Sequence, residues 1–184
     1  MQINDHHAKE LINEIPRTLL AKPLSYIKRQ HERNVSVCHY YQDNDVFNAM
    51  CEGNAPKTLL SLHHFLTQQL PRHMRDEQEG LFPLLKAFEN TASRSAHEFI
   101  NIAIREQEFD KDIIEFVLAD LDTLLRSHTL VNPLRLELNL QTLLEGLASH
   151  ANWELQTILP LAESLLSEDA LASLSSKMEG WRLN

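Results

Sequence analysis

Glycine is scarce in this chain, with 4 in 184 residues. Few turn signals interrupt long stretches in which Leu, Glu, Gln and Ala recur, and that pattern favours helix. Cysteine is scarcer still, Cys38 and Cys51 being the whole complement. On one continuous helix they would stand roughly 20 Å apart, too far for a disulfide, so free thiols are expected. No apolar run approaches the length of a membrane span. The N-terminal stretch Met1 to His7 holds no apolar signal core, and the expected compartment is the cytoplasm. Positive charge is also in deficit. The formal net charge of −9 argues against a nucleic-acid backbone as the main partner, since binding phosphates needs a basic surface.

What is present suits one globular domain spanning residues 1–184, with no low-complexity segment and no interdomain linker. Pro16 breaks residues 1–21 into a short helix and a connector. Pro23 suits the first turn of a long helix, expected from about Leu24 to Val46. Asp43-Asn44-Asp45 and Gly53-Asn54 bracket its end and the turn that follows. Pro56 opens a second helix reaching about Phe88. Pro71 and Pro83 should kink it, because each removes a backbone donor and crowds the preceding turn.

Asn90-Thr91-Ala92-Ser93 reads as a turn and cap, and a third helix runs from there to about Arg126. A connection over Ser127 to Asn132 leads to Pro133, which starts a fourth helix reaching about Leu166 and bent at Pro160. Ser167 caps a last short helix, Glu168 to Glu179, ended by Gly180. The expected fold class is all-α. It is an up-down-up-down four-helix bundle over about residues 24–166, with short additional N- and C-terminal helices.

Two stretches share one frame. His73, Glu77, Leu81, Phe82, Pro83 and Leu84 match His150, Glu154, Ile158, Leu159, Pro160 and Leu161 in spacing. Residues four apart lie on one face of a helix, so each frame points an imidazole and a carboxylate the same way. Two such pairs brought together make a nitrogen and oxygen site for a transition metal. A lone His-x-x-x-Glu is a weak signal, and His6 with Glu10 is read as a chance pair. The bland reading, two helix-surface ion pairs worth about a few tenths of a kcal/mol each, leaves the shared tail without a reason.

The candidates also fall at one height. In an antiparallel pair, residues at one level are equidistant from the turn between them. His31 and His73 are equidistant from position 52, inside the first expected turn. His73/Glu77 and position 107 flank position 91, and positions 107 and 150 flank the third turn. His31, His73/Glu77, position 107 and His150/Glu154 therefore share a level. His39 with Asp43, and His63, form a rival level nearer the first turn and are read as surface residues. Cys38 lies about two turns from His31 and is read as a packed thiol. Glu106 and Asp110 could supply a carboxylate near Gln107 but are read as a solvated helix face.

The pattern resembles the hemerythrin-like, or HHE cation-binding, family of four-helix bundles that hold a non-haem iron pair. The resemblance rests on Gln30-His31-Glu32, His73-x-x-x-Glu77 with Leu81-Phe82-Pro83, Arg105-Glu106-Gln107-Glu108, and His150-x-x-x-Glu154 with Leu159-Pro160. It implies that His31, His73, Glu77, His150 and Glu154 are metal ligands, with the two Glu bridging the metals. Gln107 stands where family members carry a His ligand, and an amide oxygen is a weak substitute for imidazole. One tight metal, or an asymmetric pair completed by water, is the expected consequence.

The resemblance implies a cytoplasmic protein that binds one or two iron ions, with zinc as a substitute. It implies roles in oxygen or nitric-oxide sensing, iron handling or iron-centre repair, among which the sequence does not choose. A second reading is a helical interaction module with a weakened or vestigial metal site. Gln107 supports it, and the five retained ligands argue against it. A third is a metal-dependent oxidase or peroxidase, for which no substrate pocket is visible, so enzymatic activity is left open. No sequence feature sets the oligomeric state.

Overall fold

The computed structural model describes residues 13–53, 55–87, 91–127 and 132–183, and every regular element among them is helical. A 3-10 turn, Arg17–Ala21, leads into α1 (Pro23–Tyr41), α2 (Asn44–Cys51) and α3 (Pro56–His64). A π-helical turn (Phe65–Gln69) joins α3 to α4 (Leu70–Arg75), and a second (Asp76–Leu81) joins α4 to α5 (Phe82–Lys86). Then come α6 (Thr91–Ser127), α7 (Pro133–Gln156), α8 (Ile158–Leu165) and α9 (Glu168–Gly180). Among the described residues no helix is long and apolar enough to cross a membrane. The N-terminal helix expected before Pro16 falls largely outside the described residues, as do Asn54 and Asn90 of the expected turns.

Proline sets most of this punctuation. Pro23, Pro56 and Pro133 each open a helix, where the missing N–H costs nothing and φ is already helical. Pro71 and Pro83 sit just after the two π turns. There the backbone N–H of Leu70 reaches Phe65 O and that of Phe82 reaches Glu77 O, five residues back instead of four. Widening the helix by one residue relieves the clash between each proline ring and the preceding turn, so the expected kinks take the form of π turns. Pro160 acts differently. Thr157 leaves helical geometry (φ −120°, ψ −60°) and separates α7 from α8.

The first helix is shorter than its expected end at Val46. It stops at Tyr41, and the chain restarts as α2, which turns Val46, Phe47 and Met50 into the core. Burying three such side chains outweighs continuing a polar helix through Gln42 and Asp43. Gly53, at φ 74°, makes the turn after α2, a conformation open mainly to glycine. Two helices carry side-chain caps, the one at Ser167 expected and the one at Asn132 not. Asn132 Oδ1 accepts from Arg135 N–H at 3.1 Å, and Ser167 Oγ accepts from Ala170 N–H at 3.3 Å. Both cysteines are free thiols, Cys38 buried.

Helix α7 packs along α1 and α6, and α3 packs on α6. Two apolar clusters result. One holds Val37 and Tyr41 of α1, Leu62 of α3, Val117 and Leu121 of α6, and Leu140 and Leu144 of α7. The other holds Ile27 of α1, Phe82 and Leu85 of α5, Ile100 of α6, Leu159 of α8, and Leu174 and Met178 of α9. Between the two in sequence on every long segment lie buried polar residues: Gln30, His31 and Asn34; His73, Asp76 and Glu77; Gln107 and Asp110; His150 and Glu154. A polar layer between two cores costs desolvation that apolar residues would avoid, so it needs a reason.

Candidate metal centre

Each ligand-type side chain in this layer is placed by helix periodicity. His31 follows Ile27 and precedes Val35 on α1, so the face that packs inward through Ile27 and Cys38 also carries the imidazole. His73 lies on α4, and Glu77 one turn later lies inside the second π turn. His150 and Glu154 are one turn apart near the end of α7.

Four of these groups converge. His31, His73, Glu77 and Glu154 each offer one donor atom, and the four atoms lie within 4.8 Å of one another. His31 Nε2 is 3.1 Å from Glu77 Oε1, and His31 Nδ1 is 3.6 Å from Glu154 Oε2. His73 Nε2 is 3.5 Å from Glu77 Oε1, and the His31 and His73 rings meet edge-on with centroids 4.5 Å apart. His150 stands beside this group. Its Nε2 is 3.1 Å from Glu154 Oε1, and its Nδ1 is 3.2 Å from Glu106 Oε2 at the half-exposed edge of the layer.

Close approach is not the same as satisfaction. His31 Nδ1, His150 Nδ1 and both carboxylate oxygens of Glu154 are buried without an aligned hydrogen-bond partner. Leaving such atoms unmet costs about 1–3 kcal/mol each. Buried donors of two kinds, imidazole and carboxylate, orphaned at one point are what a transition-metal cation would satisfy, and the residues present fit one.

Gln107 is buried at the same level, in a different role from its neighbours. Its Nε2 donates to Glu77 Oε2 at 2.6 Å, and its Oε1 accepts from Gln78 Nε2 at 2.6 Å. A carboxylate only accepts, so the amide nitrogen must face Glu77, and the amide oxygen is turned to Gln78. Asp110, expected on a solvated face, is instead buried, with Oδ2 unpartnered, because α6 turns it toward α7 beside Gly146. Glu106 keeps the half-exposed position expected of it. His63 pairs with Asp122 at 3.0 Å, and His39 is exposed, so neither enters the layer.

Burial shapes the protonation of the layer. It lowers His31 to about 4 against the pull of Glu154, and it drives His73 well below the usual imidazole range, with His31 adding to the effect. Both imidazoles are thus neutral and free to donate a lone pair. Burial raises Glu77 to about 8 and Glu154 to about 7. Burial opposes charge on His150, but its contacts with Glu154 win and raise it to about 9. Asp110 rises to about 6, again through burial.

Two further residues hold the layer in place and carry no motif of their own. Gln30 Oε1 lies 3.4 Å from His73 Nδ1, and Gln30 Nε2 donates to Asp76 Oδ2 at 2.9 Å. Asp76 is fully buried and also accepts from Trp181 Nε1 at 2.8 Å and from Arg182. The C-terminal turn thereby braces the π turn that carries Glu77. Gly80 permits this approach, since a Cβ there would stand 2.7 Å from Leu174 Cδ1. In sequence, Gln30 and Asp76 are visible only as neighbours of His31 and Glu77.

A cavity of about 20 Å³ opens at the layer, walled by His73, Gln107, Asp110, His150 and Glu154 on its polar side and by Leu70, Met74 and Leu147 on its apolar side. It has room for one water-sized molecule. His150 and Asp110 also line a surface cleft of about 300 Å³ with Arg105, Phe109, Gly146 and Ser149. The two spaces share those two side chains as a common wall.

A family model for the hemerythrin HHE cation binding domain matches residues 22–162, and the chain belongs to that family. No curated protein and no solved structure matches it. Family and geometry agree on a metal-binding protein built around a buried His and Glu cluster.

Proposed function

We propose that the protein is a cytoplasmic non-haem iron protein whose metal is held by His31, His73, Glu77 and Glu154, with His150 as a further ligand. The observation that carries this reading is the convergence of four buried donors within 4.8 Å on a layer that also belongs to the family's cation-binding domain. The order of the two apolar clusters supports an up-down-up-down bundle around it. Along α1 and α6 the cluster containing Ile27 and Ile100 comes first; along the α3–α5 segment and the α7–α8 segment it comes last.

When bound, iron supplies a Lewis-acidic, redox-active centre for a small diatomic ligand such as O2 or NO. The protein's own groups do the rest. Gln30 at His73 Nδ1 fixes the ring so that Nε2 faces the centre. Gln107 donates to Glu77 Oε2 and thereby orients its Oε1 toward His31 and His73. The apolar wall of Leu70, Met74 and Leu147 excludes bulk water, and the cavity between is diatomic in size. These features favour sensing or handling of a small gas or of iron itself, over chemistry on a large substrate.

One observation favours a second reading, an interaction module with a weakened site. Gln107 is tied into hydrogen bonds on both sides of its amide and lends no free oxygen to a metal. Anaerobic reconstitution of untagged protein with ferrous iron, followed by elemental analysis, separates the two. One to two iron atoms per chain support the iron protein; a folded helical chain that retains none supports the module.

A further inference from the structure

A second polar site opens beside Gln30, whose amide oxygen also lies near His73. Along α1, Tyr26, Gln30 and Arg33 share one face at helical spacing and form the floor of a cavity of about 80 Å³. Arg17, Arg72 and Arg182 complete its polar rim, so four guanidinium groups border one small space in a chain of net charge −9. The carboxylates available to them are few. Glu14 on the rim reaches Arg72 at 3.4 Å, and Asp76 engages Arg182, which also lies over the Tyr26 ring at 4.9 Å. Among the described residues, four positive groups against these two carboxylates leave two charges unmatched.

Arg33 is the least satisfied of the four. Its Nε is buried with no hydrogen-bond partner, and it forms no ion pair among the described residues. A buried guanidinium nitrogen left so is costly to the fold, and nothing in the metal layer uses it. Its planar fork is suited to two parallel hydrogen bonds to one oxyanion. The volume is about that of two or three waters in the liquid, the scale of a single phosphate group. A phosphate carries about −1.5 to −2 at neutral pH, which matches the unmatched charge.

We propose that this cavity binds a phosphate group, either free inorganic phosphate or the terminal phosphate of a small monoester, with Arg33 as the buried anchor and Arg17 and Arg72 closing over it. The site shares Gln30 with the support of His73 but does not require the metal centre to be filled.

Calorimetric titration of the metal-free full chain, in sodium chloride at fixed ionic strength, tests this with inorganic phosphate in one arm and glycerol phosphate in the other. Expected is saturable one-to-one binding at millimolar or tighter dissociation constant in at least one arm. Stronger binding of inorganic phosphate identifies a free-ion site, and stronger binding of the monoester identifies a site that reads the attached group. Arg33→Met should weaken binding at least tenfold, Arg72→Gln severalfold, and the exposed Arg126→Gln on α6 not at all. Arg33→Met also removes an unmet buried charge, so in phosphate-free buffer it should melt no lower than the parent, and phosphate should no longer raise its Tm. Absence of saturation in both arms, or equal binding by parent and Arg33→Met, would overturn the proposal.

Discussion

Asp76 and Arg182 lie 106 residues apart in the chain and form a buried ion pair, with Asp76 also accepting from Trp181 and Gln30. The pair joins the C-terminal turn to the π turn that carries Glu77, and through Gln30 it reaches His73. Breaking a buried pair by removing one partner costs about 3–5 kcal/mol. Asp76→Asn should therefore lower the free energy of unfolding by about that amount in urea denaturation. It should also loosen metal binding, because Gln30 loses a charged acceptor. A variant within about 0.5 kcal/mol of the parent would show that the brace contributes little.

Gln107 brings an amide to a layer otherwise rich in imidazole and carboxylate. Gln107→His replaces an amide that bridges Glu77 and Gln78 with an imidazole at the same buried level. Under the iron reading, the variant should bind a second ion, or tighten the weaker one by tenfold or more, about 1.4 kcal/mol. Anaerobic titration of metal-free protein with ferrous iron measures this. Identical stoichiometry and affinity in both proteins would show that position 107 does not face the metal.

The two His and Glu frames were legible because helices repeat every 3.6 residues: His73 with Glu77, and His150 with Glu154, fall on one face whatever surrounds them. Equal distance from the expected turns brought His31, Gln107 and both frames to one buried layer, even though two π turns intervene. The prolines marked where the helix is crowded. Whether crowding is relieved by a wider turn, as before Pro83, or by a break, as at Thr157, depends on neighbouring helices that local sequence does not encode. Asp76 meeting Arg182 was invisible for the same reason, since it depends on how α9 docks. Asp110 was misread as solvated because its burial depends on how α6 packs beside α7, where it lies near Gly146.

Protonation of the layer gives a pH signature. The folded chain holds protons on Glu77 to about 8 and on Glu154 to about 7, through burial, whereas the unfolded chain releases them near 4.5. His150, raised to about 9, adds to the same trend. Native protein thus binds more protons than unfolded between these values, and its metal-free stability falls as pH rises from about 6.5 to 9. Between about 4.5 and 6.5 the trend flattens, because the unfolded chain protonates His31 and His73, which the folded one keeps neutral, and this offsets the protons held on Glu77 and Glu154. Metal needs deprotonated carboxylates, so the Tm gained on adding metal should grow between pH 6 and pH 8.5. Differential scanning calorimetry with and without metal checks this; a gain that shrinks with pH would contradict it.

Access to the centre should run through the cleft beside His150. Gly146 lines that cleft, and a side chain there would start 3.5 Å from Asp110 Oδ1, in contact with the wall shared with the inner cavity. Gly146→Leu should slow the association of nitric oxide with ferrous protein by tenfold or more in stopped-flow absorbance, with metal content unchanged. An unaltered association rate would place the entry elsewhere.

Under the iron reading, His31, His73, Glu77 and Glu154 surround the metal. Anomalous scattering at the iron edge, from crystals grown with ferrous iron under anaerobic conditions, locates it. The expected result is a peak enclosed by those four side chains, with His150 beside it, that disappears in His73→Ala and persists in His63→Ala. A peak at His63 and Asp122, or no peak in a well-ordered chain, would contradict the account.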